Sequence, residues 1–296
     1  MAKKLYELFT TASAPEQILT DIYRTVSEAV RTKLIGTNFV SMRLGPSDIP
    51  GSTVNIVHQN KNSLNVHGPL GEGAEIPIST EDTYSYSTTV KKYGTRPLIT
   101  REMVEDSLFA VMERNLREAG YQMARFLDRQ VILLALRQGS GNTVSGSTSI
   151  TIANIASAIN NLEKNDYMAS DFVIGADVAM DLRNIDTFVE ANKAGVSDPS
   201  KSLIGTIFGM KVWQTNNLTT NFGASTNNTD AVVVDKDWAL LFAEKRPITV
   251  DRYNDVTRQL EGIVLSTRFD CIAIPDTSTQ TSTPYTNSAI SLITTI

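Results

Sequence analysis

His58 and His67 are the only histidines of this chain and Cys271 is its only cysteine. The separation of the two imidazoles fits no familiar metal-ligand motif, so solvated loop histidines are the simpler expectation. Cys271 lies in a strand-like run with the pattern of a buried thiol; a single cysteine precludes an intrachain disulfide and fits a reducing compartment. The glycines of Gly68–Gly73 suggest a phosphate loop, yet the Lys-Ser/Thr ending is missing and no helix opens behind them. No Gly-x-Ser-x-Gly elbow exists. Asp177 and Asp181 share a helix face at a spacing that usually just meets water. The Lys91-Lys92 pair reads as a solvated strand end rather than a nucleic-acid patch, because no basic cluster surrounds it, and Tyr84, Tyr86 and Tyr93 are better explained by cross-strand packing than as a stacking platform. No catalytic set, cofactor box or metal site emerges.

The elements around these residues are more informative. A long helix is predicted over Arg101–Gln138, where Val104, Leu108, Met112, Leu116, Ala119, Met123, Leu127, Val131 and Leu134 form one apolar stripe. Thr100 would cap it, Gly139-Ser140-Gly141 would end it, and Gly120 is a candidate kink. Glu102, Glu105 and Asp106 lie early and Arg125, Arg129 and Arg137 late, as the helix dipole favours. At 1.5 Å per residue it would span about 57 Å, more than most globular domains need. Such a spar suggests a structural part.

Ahead of it, residues 13–35 read as a first helix with a Ser13-Ala14-Pro15-Glu16 capping box. From Asn38 to Pro97 the turns Gly45-Pro46, Pro50-Gly51, Gly68-Pro69 and Gly71-Glu72-Gly73 punctuate short extended runs at Thr53–Val57 and Thr83–Val90. This hairpin is poor in large aliphatics, and an isolated two-stranded ribbon is marginal, so it would gain most by lying on another subunit. Behind the helix, Gly139–Ser149 reads as a linker. An α/β region follows: helices at Ile152–Lys164 and Ala176–Val189, strands at Phe172–Ile174, Lys211–Gln214 and Ala231–Asp235, polar loops at Glu190–Thr206 and Asn216–Asp230, and a short helix or turn at Trp238–Phe242. Long strands are expected at Pro247–Arg252 and Gly262–Ile274, then a Ser/Thr-rich tail or late strand.

The 296 residues are 41% hydrophobic and 20% charged, which is ordinary globular composition with room for one large or two modest domains. A net charge of −5 argues against a protein that grips nucleic-acid phosphates. Glu7 interrupts the one stretch resembling a signal peptide, and the longest apolar runs, Val131–Leu136 and Trp238–Ala243, are far too short for a membrane span.

Several of these residues together resemble the tailed-phage major capsid proteins of the Hong Kong-97 type. The resemblance is carried by Glu72-Gly73-Ala74-Glu75-Ile76-Pro77, then Lys91-Lys92-Tyr93, then Ile99-Thr100-Arg101-Glu102-Met103-Val104-Glu105-Asp106-Ser107 opening the long helix. Downstream, Leu203-Ile204-Gly205-Thr206-Ile207-Phe208-Gly209-Met210-Lys211-Val212-Trp213 is similar to the family's Gly-x-x-x-Gly-x-x-Val segment. The order of these loose patterns carries it over residues 13–275. It implies an α+β fold with an N-terminal arm and helix at 1–37 and an extended E-loop at 38–97. A peripheral P-domain would comprise 98–140, with the spine helix, and 246–276; an α/β axial A-domain would cover 141–245, leaving a tail at 277–296.

The resemblance further implies pentamers and hexamers of this chain in an icosahedral virion shell, assembled in the host cytoplasm without cofactor, catalysis or membrane. The shell would enclose double-stranded DNA behind a mildly acidic inner face, through weak non-specific contact. Portal or decoration proteins are possible partners. Because the first capped helix starts at Ser13, any scaffold is expected to be a separate protein, or absent. Some relatives crosslink an E-loop Lys to an Asn of another subunit, and Lys61 with Asn62 stands near the loop tip. Glu72, Arg96, Arg101, Arg117 and Arg252 are candidates for intersubunit pairs, with a solvated charge the alternative at each. An encapsulin-type nanocompartment loading protein cargo shares the fold and is the second expectation. A soluble α/β enzyme with an unrecognised site is the remote one.

Overall fold

The computed structural model describes residues 35–59, 64–81, 83–100, 102, 111–139, 142–145, 149–185, 203–217, 230–275 and 288–294. The predicted first helix up to residue 34, both members of the Lys61-Asn62 pair and Arg101 lie outside them. A short 3-10 turn, Gly36–Phe39, leads into β1 (Met42–Leu44). Next come β2 (Thr53–Gln59), β3 (Thr83–Thr89), β4 (Lys91–Thr95) and β5 (Leu98–Thr100). Helix α1 covers Val111–Gly139, and β6 (Thr143–Ser145), α2 (Ile152–Glu163), β7 (Asp171–Ile174) and α3 (Ala176–Arg183) follow. The chain continues through β8 (Leu203–Ile207), β9 (Met210–Gln214), β10 (Asp230–Val234), β11 (Leu240–Asp255), β12 (Leu260–Ala273) and β13 (Ile290–Thr294).

Two sheets share α1. In the first the order is β1-β11-β12-β4, with β5 also paired to β12; in the second it is β6-β13-β10-β7-β9-β8. Val131, Ile132, Ala135 and Leu136 of α1 form one core with Leu240, Phe242, Phe269 and Ala273 of the first sheet and Val173, Val232, Val234, Ile290 and Leu292 of the second. A helix wedged between two sheets needs a wider apolar face than a single stripe. The buried positions accordingly come in adjacent pairs: Met123 with Ala124, Val131 with Ile132, Ala135 with Leu136. On its other face the second sheet packs against Ile155, Ala158 and Leu162 of α2 and Val178, Ala179 and Leu182 of α3. Thr151 caps α2, its hydroxyl accepting from the Asn154 amide at 3.4 Å.

Several expectations are corrected. Thr100 ends a strand paired to Leu260, and the start of the long helix predicted just after it, at Arg101, lies outside the described residues. Part of the predicted linker, Thr143–Ser145, is an edge strand running parallel to β13. The run after Trp238 is a strand, because Leu240–Ala243 is buried on both faces of β11 and a strand covered on both sides shows no alternation. Leu203–Ile207, expected within a loop, pairs with β9. The end of the chain supplies a late strand: Ile290–Thr294 sits between β6 and β10.

Gly262 shows how closely β5 approaches β12. A Cβ there would meet the Pro97 carbonyl oxygen at 2.6 Å and a Leu98 side-chain carbon at 2.8 Å. Gly262→Ala is therefore expected to push β5 off the sheet and lower the thermal midpoint by several degrees, on the order of 1–3 kcal/mol of overpacking. Differential scanning calorimetry of the subunit reads this directly.

Candidate assembly surface

Strands β2 and β3 pair antiparallel from Thr53–Thr89 to His58–Tyr84 and Gln59–Thr83. One face of this ribbon is not free. Val54, Tyr84 and Tyr86 join Leu44, Ile49 and Val90 in a core with Leu241, Ala243, Ile272 and Ile274, on the side of the first sheet away from α1. The Tyr84 hydroxyl donates to the Pro275 carbonyl, and Thr88 Oγ1 donates to Asp270 Oδ2 at 2.8 Å. Alternation in β3 thus records burial against the chain's own body, in addition to the cross-strand contact of Tyr84 with His58 at 5.7 Å. Burial holds the His58 imidazole below its ordinary pKa.

Beyond the ribbon the chain leaves the body. Every described residue from Leu64 to Glu81 is exposed except Ser79, which is half-buried. Its apolar side chains are among the most exposed in the structure: Val66 at 100%, Ile78 at 90% and Ile76 at 70%. The turn at Glu72-Gly73 is closed by the Ala74 amide donating to the Gly71 carbonyl at 3.0 Å, and Gly73 takes φ +79, where glycine is at ease. An arm of this composition cannot bury itself.

The predicted charged candidates are scattered. Glu72 stands exposed in the arm's turn. The Arg96 guanidinium lies 4.8 Å above the centre of the Tyr253 ring, bringing the segment after β4 onto β11. Arg117 is exposed on α1. Arg252 pairs with Ile263 in the β11–β12 ladder, and its side chain lies outside the described set, as do Lys61, Asn62 and Arg101. Asp181, expected to face water, instead accepts from the Ile150 amide at 3.0 Å.

Two clusters were missed from sequence. Asp128, 0% exposed in the middle of α1, accepts from the Ile35 amide at 2.9 Å, from the Gly36 amide, and from Asn217 Nδ2 at 2.6 Å. Asn217 Oδ1 in turn accepts from Arg125 Nε at 3.1 Å. Its signal was available: a carboxylate beside Leu127 on the apolar side of a helix needs partners. The second cluster corrects the expectation that Lys91-Lys92 lacks basic company. Lys92 is directly opposite Arg268, and Arg268 is directly opposite Arg246. No local pattern reveals a row formed by strands so distant in sequence.

Among the described residues no group of three or more metal-ligating side chains occurs. Burial pushes the Cys271 thiol up to about 12. Iodoacetamide at pH 8 is therefore expected to label it far more slowly in the folded subunit than in urea, because only the thiolate reacts; equal rates would contradict the burial.

The fold as a whole is similar to solved phage structures. A chain from Microbacterium phage Oxtober96 is 13% identical with a TM-score of 0.65, covering 89% of this chain and 91% of that one. The capsid of cyanophage P-SCSP1u gives 13% identity and a TM-score of 0.65 over 90% and 89%. The mature capsid of bacteriophage PhiM1 gives 12% and 0.62 over 89% and 87%. The fold is thus the mixed α/β fold of phage capsid subunits. A search among curated protein sequences finds no match. The phage capsid protein family model matches residues 83–279, well over half of the sequence, and the chain belongs to that family. It is a shell-forming structural protein of a virion.

Proposed function

We propose that this subunit is the major capsid protein of a tailed virus, closing an icosahedral shell of pentamers and hexamers around double-stranded DNA in the Hong Kong-97-type arrangement. In this reading residues 38–97 act as the E-loop and 1–37 as the N-terminal arm. The peripheral domain comprises 98–140 and 246–276, the axial domain 141–245, and the tail 277–296 returns a strand to the second sheet. The observation that carries the proposal is the arm from Leu64 to Glu81, whose large apolar side chains are all exposed. A contiguous exposed apolar segment marks an interaction site, and in a closed symmetric assembly a weak contact is repeated at every subunit. Lys61 with Asn62, Glu72, Arg96, Arg101, Arg117 and Arg252 remain the proposed intersubunit contacts.

Electron microscopy of the purified protein tests this. Closed shells that protect double-stranded DNA from nuclease are expected in infected-cell preparations. Shells holding a protein cargo instead would move the assignment to an encapsulin-type compartment, and a discrete small oligomer under all conditions would overturn both.

A further inference from the structure

The row Arg246–Arg268–Lys92 crosses three neighbouring strands, β11, β12 and β4. It shares its face of the sheet with Asp270 and Ile272, the face that carries the ribbon. Like charges directly opposite one another on a sheet are destabilising, so this row is a standing cost unless an anion meets it. Nothing among the described residues does so. Among the described residues no carboxylate pairs with any of the three. Arg246 donates through Nη2 to Ser266 Oγ at 3.0 Å, while its Nε is buried without an acceptor. The neighbouring carboxylate, Asp270, accepts instead from Thr88. One register step further, Thr249 Oγ1 donates to the Ser266 carbonyl at 3.2 Å and lies 3.1 Å from Ser266 Oγ, so these hydroxyls are engaged with each other beside the cations. Lys92 is exposed, and Arg246 and Arg268 are half-buried.

The arm has the complementary chemistry. Between Leu64 and Glu81 it carries Glu72, Glu75 and Glu81 and neither lysine nor arginine, and all three carboxylates are exposed. Its own subunit's row does not receive it, since all three carboxylates stand exposed and the arm points the other way. The ribbon lies along β12 with Thr88 at Asp270 and Tyr84 at Pro275, so the arm leaves from the end away from Arg268. Seven strand residues at about 3.3 Å each separate the arm's exit from the row by roughly 20 Å.

We propose that the acidic arm of a second copy of this chain docks on the Lys92–Arg268–Arg246 row, with Glu72, Glu75 and Glu81 supplying the anions. The proposal rests on the shell reading above and names the partner surface for the arm. The row fixes register while the arm's isoleucines supply apolar burial, a division seen wherever charge complementarity selects the partner.

Charge reversal and charge exchange test it. Glu72→Lys with Glu75→Lys, or Lys92→Glu with Arg268→Glu, is expected to raise the subunit concentration at which shells form by about tenfold or more, because the loss repeats at every contact. Thermal midpoints of the free subunits should stay near the parent's. The four substitutions together should bring the threshold back to within a few fold. Lys92 is exposed, so Lys92→Glu exchanged against Glu75→Lys serves if Arg268→Glu unfolds the sheet. Wild-type shells with no rescue by the exchange would overturn the proposal and leave the shell reading standing. Reversed-row subunits that assemble at the parental threshold but retain less DNA would overturn it in favour of a nucleic-acid contact. A parent chain that never forms shells would remove both.

Discussion

Replacing Ile76 and Ile78 together by serine is expected to leave a folded subunit that no longer forms shells. The two side chains are 70% and 90% exposed, so in the free subunit almost nothing is lost, and substitutions at such sites usually change stability by no more than about 0.5 kcal/mol. At an interface each buried isoleucine contributes roughly 1.5–3 kcal/mol. Losing two at every arm contact removes several kcal/mol per subunit, and a closed shell multiplies that deficit by the number of contacts. Calorimetry of the variant should therefore match the parent, while sedimentation velocity should show free subunits where the parent shows particles. Particles of normal yield would mean that the arm is decorative. Serine is preferred to aspartate here because added negative charge in an already acidic arm would confuse apolar burial with charge.

The contrast between arm and body explains what sequence could reveal. The hairpin, its turn at Gly71-Glu72-Gly73 and the long helix were legible because each depends on local chemistry: turn residues, alternation in β3, and the apolar period of α1. Elements set by distant partners were not. Thr143–Ser145 reads as a linker because its strand pairing is supplied by β13, near the other end of the chain. Leu240–Ala243 lost its strand signature because both faces of β11 are covered, by α1 on one side and the ribbon core on the other. The cationic row is the extreme case, since register alone brings Arg246 and Arg268 beside Lys92. The ribbon itself was half legible: its polar outward face and exposed arm were expected, while the docking of Tyr84 and Tyr86 onto Leu241 and Ile272 needed the tertiary fold. A ribbon anchored at its base and bare beyond it can present its arm to a neighbour without depending on that neighbour to fold.

Asp128→Ala is expected to give the largest loss of subunit stability among single polar substitutions, about 3 kcal/mol. The carboxylate is fully buried and collects the amides of Ile35 and Gly36 and the side-chain amide of Asn217, so its removal strands three donors at once. Buried donors left without acceptors cost roughly 1–3 kcal/mol each before relaxation or water entry recovers part of it. For a chain of this size that corresponds to a fall of roughly 6–12 °C in thermal midpoint. Asp128→Asn should fall between the two: its one carbonyl can still serve the backbone amides, but its amide group then faces the Asn217 amide, donor against donor. The site admits no larger neighbour either, since a Cβ on Gly36 would meet Asp128 Oδ1 at 3.0 Å and the Val131 Cβ at 3.2 Å. Three parts of the subunit therefore converge on one oxygen pair: the segment entering at Ile35, the turn after β9, and the helix that wedges the two sheets. Hydrogen exchange should show the Ile35 and Gly36 amides losing protection first in Asp128→Ala. A midpoint within about 1 °C of the parent, well below the shift expected for stranded buried donors, would mean that water replaces the carboxylate at no cost.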